Sequence, residues 1–129
     1  TDSTLKGQTV FLAERCGELM YDDIITDRTI IDVMAFTQNA KSIPYQDKDK
    51  FIEYAKEFIR EYDYIFYISP EGLPIEDNGV RETDEHYRDV IDFTITSFIR
   101  KYAYMMKNIE TIKGTTEERI QQILNITDL

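Results

Sequence analysis

Five consecutive aromatic and β-branched residues, Tyr64-Ile65-Phe66-Tyr67-Ile68, form an uninterrupted apolar run in this 129-residue chain. No polar residue alternates with them, and Ser69-Pro70 ends the run. A run of this kind is typical of a strand that is buried on both faces of a parallel sheet. It therefore predicts a central strand at residues 64–68.

Two weaker strands and several helices surround that run. Ile24-Ile25-Thr26 is β-branched without polar alternation and predicts a short buried strand, and residues 107–112 (KNIETI) are a third candidate. Helical spacing of apolar residues and capping signals predict helices at residues 8–21, 29–40, 47–61, 83–102 and 115–126. The predicted apolar faces include Val10 and Phe11 in the first helix and Phe51, Ile52 and Ile59 in the third, and the predicted caps are Thr29 with Asp32, Thr83, and Thr115 with Glu118. Strands separated by helices pair in parallel, so we expect a three-layer α/β sheet flanked by helices.

Composition excludes several chemistries. Lys and Arg number 15 against 25 Asp and Glu, and the net charge of −10 disfavours direct binding of nucleic acid or an anionic membrane. Cys16 is the only cysteine and His86 the only histidine, which excludes an intrachain disulfide and a His/Cys zinc site. No apolar run approaches about 20 residues and no signal peptide opens the sequence, so a cytoplasmic protein is expected.

Three short motifs follow the predicted strands, where ligands of α/β sheets bind. Asp27 and Arg28 could hold Mg²⁺ and clamp a phosphate, or they could only cap a helix beside a surface salt bridge. Arg81 and Arg88 stand seven residues apart and could neutralise a transferring phosphoryl group, or they could pair with nearby acidic side chains. Gly114 with Thr115 allows close approach of a flat ligand, although such a glycine often marks only a turn.

Taken together, these motifs resemble a known family. The segments concerned are 24–32 (IITDRTIID), 62–68 (YDYIFYI), 77–81 (DNGVR) with Asp84 and Arg88, and 114–119 (GTTEER). Their order and spacing are similar to those of the P-loop nucleoside and nucleotide kinase-like ATPases, in particular the branch with the ribosylnicotinamide kinase domain of NAD metabolism. The resemblance covers nearly the whole chain and implies ATP and Mg²⁺ as cofactors.

The resemblance also implies roles for matched residues. Asp27 would be the magnesium-associated or substrate-facing acid, and Arg28 would bind phosphate. Arg81 and Arg88 would close over the phosphates from a lid at about residues 70–88. The turn Gly114-Thr115 would lie against the nucleotide base.

One element of that family is missing from the sequence. Such kinases carry a phosphate loop, G-x-x-x-x-G-K-[ST], but none of the glycines at 7, 17, 72, 79 and 114 belongs to one. We therefore expect residues 1–129 to be the C-terminal part of a single P-loop-kinase-like domain, whose first strand and phosphate loop lie outside the sequence. Two alternatives remain open: another chain, as in a homodimer, supplies the missing strand, or the protein is a degenerate relative.

Three functions follow as expectations. The first is ATP-dependent phosphoryl transfer to a nucleoside, a nucleotide or a related small molecule. The second is a nucleotide-binding regulatory module that does not transfer phosphate. The third is an acidic interaction domain that uses the net charge of −10 to bind a basic partner, although no block of like charges favours it.

Overall fold

The computed structural model describes residues 3–70 and 85–128. Within these ranges the chain forms α-helices and a two-stranded sheet. The elements are α1 (Leu5–Glu18), α2 (Ile30–Gln38), α3 (Tyr45–Ala55), β1 (Ile65–Ile68), α4 (Glu85–Tyr102), β2 (Ile109–Ile112) and α5 (Thr116–Thr127). Short 3-10 helices at Lys56–Glu61 and Ala103–Met105 follow α3 and α4.

Helix α2 lies at the centre of the core, in contact with α1, α3 and α4. It begins at a capping box, in which the Thr29 hydroxyl accepts from the amide of Ile31 and the Asp32 carboxylate accepts from the amide of Thr29 at 2.7 Å. This confirms the predicted helix start, because the box satisfies amides that have no partner inside the helix. Ile30 and Met34 have no solvent exposure.

The start of α2 is also tied to the segment before β1. The amide of Ile30 donates to the buried hydroxyl of Tyr62 at 3.1 Å. Burial raises the pKa of Tyr62 to about 12, because the phenolate would lose its hydration. Tyr62 therefore links the central helix to the sheet by a neutral hydrogen bond.

The two strands are parallel, as predicted. Ile65 lies opposite Ile109, and Ile68 lies opposite Ile112. Since α4 connects two parallel strands, it runs from the carboxyl edge of the sheet back to the amino edge. Among the described residues each strand has a partner on one side only, and so β1 is less buried than predicted: Ile65 is buried, but Ile68 is 46% exposed.

The predicted strand at Ile24-Ile25-Thr26 is wrong. These residues form no strand, and the side chain of Ile25 is 88% exposed. A three-residue segment gains no ladder hydrogen bonds without a neighbouring strand, and none of the described segments pairs with it. Asp23, with φ of 54°, turns the chain just before it.

The buried face of α1 also differs from the prediction. The helix begins earlier, where the Thr4 hydroxyl caps the amide of Gly7, and its buried residues are Gln8 and Leu12. Val10 and Phe11, which were predicted to face the core, are about half exposed. Apolar residues at four neighbouring positions, 10 to 13, point around the whole helix, so their spacing does not identify one face.

The remaining helices match the predicted segments closely. Helix α3 begins directly after Pro44, and Phe51, Ile52 and Ile59 are buried as expected. In α4 the apolar stripe is buried at Ile91, Phe98 and Tyr102, while the predicted cap at Thr83 lies outside the described residues. None of the helices in the described ranges is long and apolar enough to cross a membrane.

Candidate functional site

The start of α4 and the turn Gly114-Thr115 each follow a strand at the carboxyl edge of the sheet. Helix α4 starts at this edge, because it leads from the end of β1 back to the start of β2. The Tyr67 hydroxyl donates to the Asp92 carboxylate and holds this part of α4 against the end of β1. Burial, and then this hydrogen bond, raise the pKa of Tyr67.

A cavity of about 490 Å³ lies between α1, α2 and the first turn of α4. We call it the Arg28 cavity. Its walls are mainly apolar and aromatic, with charged groups at a few positions. The lining residues are Ser3, Gln8, Phe11, Glu14, Arg15, Arg28, Asp32, Val33, Phe36 and Tyr87. Apolar walls with a few polar groups are the usual character of a small-molecule site.

Arg28 occupies an unusual backbone conformation at this cavity. Its φ is 127°, in a region that L-residues other than glycine rarely adopt. The hydroxyl of Thr26 donates to the Arg28 carbonyl at 2.8 Å and helps to hold this conformation. Its guanidinium lies over the ring of Phe36, 5.9 Å from the centroid. Backbone strain of this kind is concentrated at functional sites, which is consistent with a binding role for Arg28.

The charges around the cavity leave Arg28 as the available cation. Arg15 pairs with Glu18 at 2.8 Å, so its charge is already balanced. Asp32 is engaged by the amide of Thr29 in the capping box of α2. Within the described ranges no carboxylate lies within ion-pair distance of Arg28, so the predicted alternative of a surface salt bridge there has no counterpart among these residues. An anionic ligand at Arg28 would therefore meet a positive charge beside the ring of Phe36, although the carboxylate of Glu14 also lines the cavity.

Asp27 is exposed and does not line the Arg28 cavity. The described parts of the chain hold no group of three or more His, Cys, Asp or Glu side chains that could bind a metal. Mg²⁺ in phosphoryl-transfer sites binds through one or two carboxylates together with waters and phosphates. Asp27 is a single exposed carboxylate next to Arg28 in the chain, and one carboxylate is a donor set that Mg²⁺ can use together with waters and phosphate oxygens.

Of the two predicted lid arginines, only Arg88 can be located. It is exposed in the first turns of α4, and it pairs with neither Glu85 nor Asp92, two of the acidic partners considered for it. Asp92 is instead engaged by Tyr67. Arg81 lies outside the described residues.

Gly114 and Thr115 form the turn between β2 and α5. The Thr115 hydroxyl and the Glu118 carboxylate make the predicted capping box, and the backbone hydrogen bond from Thr115 lowers the pKa of Glu118. Gly114 has a φ of 109°, and a Cβ at this position would come within 2.7 Å of Glu118 Oε1. A glycine is therefore required for the turn itself, whether or not a ligand binds there.

The structure brings some of the predicted residues together and leaves others apart. Arg28 shares its cavity with Tyr87, the neighbour of Arg88 in the chain. Gly114 and Thr115 lie at the same carboxyl edge, after β2, but they are not among the residues that line the cavity.

Sequence reasoning missed the aromatic walls of the cavity and one buried arginine. Phe11, Phe36 and Tyr87 come from three different helices, and their meeting has no local signal. Arg119 is buried in α5, where it shares a helical face with Ile123 and Ile126. An arginine at an apolar position of a helical stripe is a signal that could have been used.

A smaller cavity of about 320 Å³ lies between α3 and α4, with Tyr45, Ile52 and Phe93 among its lining residues. It contains none of the predicted site residues. Carboxylates and a lysine share its wall with aromatic rings.

A scan against protein-family models finds no match to this chain, and neither do searches of curated proteins and of solved structures. What the chain binds is therefore inferred from its own residues, together with the resemblance described above. The residues that matter most for this inference are Arg28 and the aromatic side chains around it.

Proposed function

We propose that this chain is the C-terminal part of a P-loop-kinase-like domain that transfers a phosphoryl group from ATP to a nucleoside, a nucleotide or a related small molecule. The observation that carries the proposal is the Arg28 cavity, in which a guanidinium with no carboxylate partner among the described residues lies against the ring of Phe36. A ligand with an aromatic ring and a phosphate matches both features. The cytoplasm, where ATP is abundant, is the proposed location.

Binding would use two kinds of contact in the Arg28 cavity. The ring of Tyr87 lies 6.3 Å from that of Phe36, and together with Phe11 these side chains give a flat ligand aromatic neighbours. The guanidinium of Arg28 can bind a phosphate or a carboxylate bidentately. Because the chain is strongly acidic overall, such a local cation would determine where an anion binds.

The described residues would act on phosphoryl transfer by position and charge. Arg28 lines a cavity together with Tyr87 of the first turn of α4, and Arg88 follows Tyr87 in the chain, so both would bring positive charge to that turn. Asp27 is the proposed magnesium-associated carboxylate, and a bound Mg²⁺ would neutralise charge on the transferring phosphoryl group. Gly114 and Thr115 are the proposed contacts of the nucleotide base. The phosphate loop would come from outside this sequence.

A second candidate is nucleotide binding without transfer. It is favoured by one observation: the proposed base and anion contacts lie within this chain, whereas a G-x-x-x-x-G-K-[ST] loop does not. In this case the Arg28 cavity would hold a regulatory ligand rather than an acceptor.

The test is a transfer assay on the full-length protein with labelled ATP, Mg²⁺ and a panel of nucleosides, nucleoside monophosphates and ribosylnicotinamide. We expect a phosphorylated product from one class of acceptor. Arg28→Ala should reduce kcat/KM for that acceptor at least tenfold, the effect of losing about 1.4 kcal/mol of transition-state stabilisation.

Arg100→Ala is the matched control, because Arg100 is exposed in the last turn of α4, at the opposite edge of the sheet. It should leave transfer unchanged. Binding of ATP by calorimetry with no product on any acceptor would support the second candidate. Equal kcat/KM of Arg28→Ala and wild-type protein would show that the Arg28 cavity takes no part in phosphoryl transfer.

A further inference from the structure

Arg119 joins the carboxyl ends of both strands from within α5. Its side chain is 7% exposed; Nε donates to the carbonyl of Gly114 at 2.7 Å, and Nη2 donates to the carbonyl of Ser69 at 2.9 Å. Ser69 directly follows β1, and Gly114 is in the turn that follows β2. One buried side chain thus fixes the turn after β2 to the end of the neighbouring strand.

The partners of Arg119 indicate a positioning role. Burying a guanidinium is costly unless hydrogen bonds compensate it, and here the compensation comes from main-chain carbonyls. Among the described residues no carboxylate lies within ion-pair distance of Arg119. Arg119 therefore holds the main chain in place, because both of its hydrogen bonds are to main-chain carbonyls that follow the two strands.

Two other side chains of α5 bind the same turn. Gln122 accepts from the amide of Lys113 at 3.4 Å and donates to its carbonyl at 2.7 Å. Glu118 accepts from the amide of Thr115 at 2.8 Å. Helix α5 therefore engages the backbone of the turn through side chains spaced three or four residues apart, on one helical face.

The amide of Gly114, unlike those of Lys113 and Thr115, is not bound by a side chain of α5. Its own carbonyl is bound by Arg119, yet within the described ranges its N–H has no hydrogen-bond partner. The turn therefore offers a ligand one backbone donor whose direction is fixed by the contacts on either side of it. An unmade hydrogen bond to a backbone donor is costly once water is excluded, so a bound ligand would have to supply an acceptor.

We propose that Arg119 is a positioning residue for base recognition: it fixes the turn so that the Gly114 N–H donates to a hydrogen-bond acceptor on the base of a nucleotide. This inference rests on the proposed function, which puts the nucleotide base at Gly114 and Thr115. It adds the kind of contact, a donor from the protein to an acceptor on the base, and the side chain that maintains it.

The test compares the affinity of the full-length protein for ATP with that for tripolyphosphate, which has the phosphates and no base. The dissociation constant for tripolyphosphate divided by that for ATP measures the contribution of the base to binding. We expect Arg119→Gln to lower this ratio about three- to tenfold, the effect of one weakened hydrogen bond, and to leave the affinity for tripolyphosphate unchanged. Arg119→Lys, which can still donate to one carbonyl, should give an intermediate ratio.

Hydrogen exchange of the Ser69 amide gives a second readout that needs no ligand. This amide donates to the carbonyl of Ile112 at 2.9 Å, and the carbonyl of Ser69 itself is bound by Arg119. Exchange should be faster in both Arg119 variants than in wild type, and it should be unchanged in the control Arg60→Gln, whose arginine is exposed and remote in sequence from the turn. A purely structural role for Arg119 would weaken the binding of ATP and tripolyphosphate alike, and that result would overturn the inference. An unchanged ratio in variants with faster exchange would overturn it as well.

Failure of the proposed function has a different signature. Wild-type protein would then bind neither ATP nor tripolyphosphate, whereas failure of the inference alone leaves wild-type binding intact and the ratio insensitive to Arg119. Tight binding of ATP by the wild-type protein, together with a ratio of dissociation constants that falls only in the Arg119 variants, supports both the proposed function and the inference.

Discussion

The Tyr67 hydroxyl donates to the Asp92 carboxylate, and this bond joins the second half of β1 to the helix that returns the chain to β2. Tyr67→Phe would leave the carboxylate without this donor, and we expect a loss of about 1–2 kcal/mol in the free energy of unfolding. Urea unfolding followed by circular dichroism measures it. Tyr64→Phe is the control, since Tyr64 is partly exposed and its hydroxyl makes no hydrogen bond within the described residues; equal losses in both variants would contradict the prediction.

Tyr62 should make stability depend on pH in the alkaline range. Its pKa is about 12 in the folded chain and about 10 in the unfolded chain, so between these values the unfolded state loses a proton that the folded state keeps. Stability is therefore fully present below pH 10 and falls as the pH rises towards 12. Tyr62→Phe should be less stable than wild type at pH 8, and the difference should shrink at pH 11; urea titrations at both pH values measure it. A difference that is constant with pH would contradict this assignment.

Two glycines should respond in opposite ways to alanine. Gly114→Ala places a Cβ 2.7 Å from Glu118 Oε1 at a φ of 109°, and we expect a loss of about 1–3 kcal/mol. In Gly17→Ala the added Cβ meets no atom within 4 Å, and because position 17 is helical we expect a gain of up to about 1 kcal/mol. Thermal unfolding of both variants tests the pair, and equal shifts in Tm would count against the positive-φ argument.

Arg28 should lower the stability of the fold through its strained backbone and contribute to anion binding through its guanidinium. Arg28→Gly and Arg28→Ala both remove the guanidinium and its contact with Phe36, but only glycine adopts a φ of 127° without strain. We expect the glycine variant to be about 1–2 kcal/mol more stable than the alanine variant, and both to lose the anion binding proposed for the Arg28 cavity. Urea unfolding measures the difference in stability, and calorimetry with a nucleoside monophosphate, an acceptor class proposed for this cavity, measures the loss of binding. Equal stability of the variants would show that this backbone is not strained.

Features that depend on neighbouring residues were predictable from the sequence. The capping boxes at Thr29 and Thr115 need only a hydroxyl and a carboxylate three residues apart, and both are present. The pairing of the strands at 64–68 and 107–112 followed from the helix between them, since a strand, a helix and a second strand favour parallel pairing.

Features that depend on distant residues were not predictable. Ile24 and Ile25 look like a strand by composition, but a strand also needs a partner, and its absence from the described segments left them exposed. The Arg28 cavity combines an unusual backbone angle with rings from three helices, and neither is written in the local sequence. The three-layer sheet and the roles of Asp27, Arg81 and Arg88 stay predictions.

The parallel pairing of β1 with β2 has a consequence for synthesis on the ribosome. Ile65 cannot pair until Ile109 has been translated, so all of α4 must be made before the first hydrogen bond between β1 and β2 can form. At about 5–20 residues per second, this delay lasts roughly two to nine seconds. During that interval the apolar, aromatic β1 segment lacks the strand that is its partner within the described residues, so the nascent chain is expected to be prone to aggregation between the translation of β1 and that of β2.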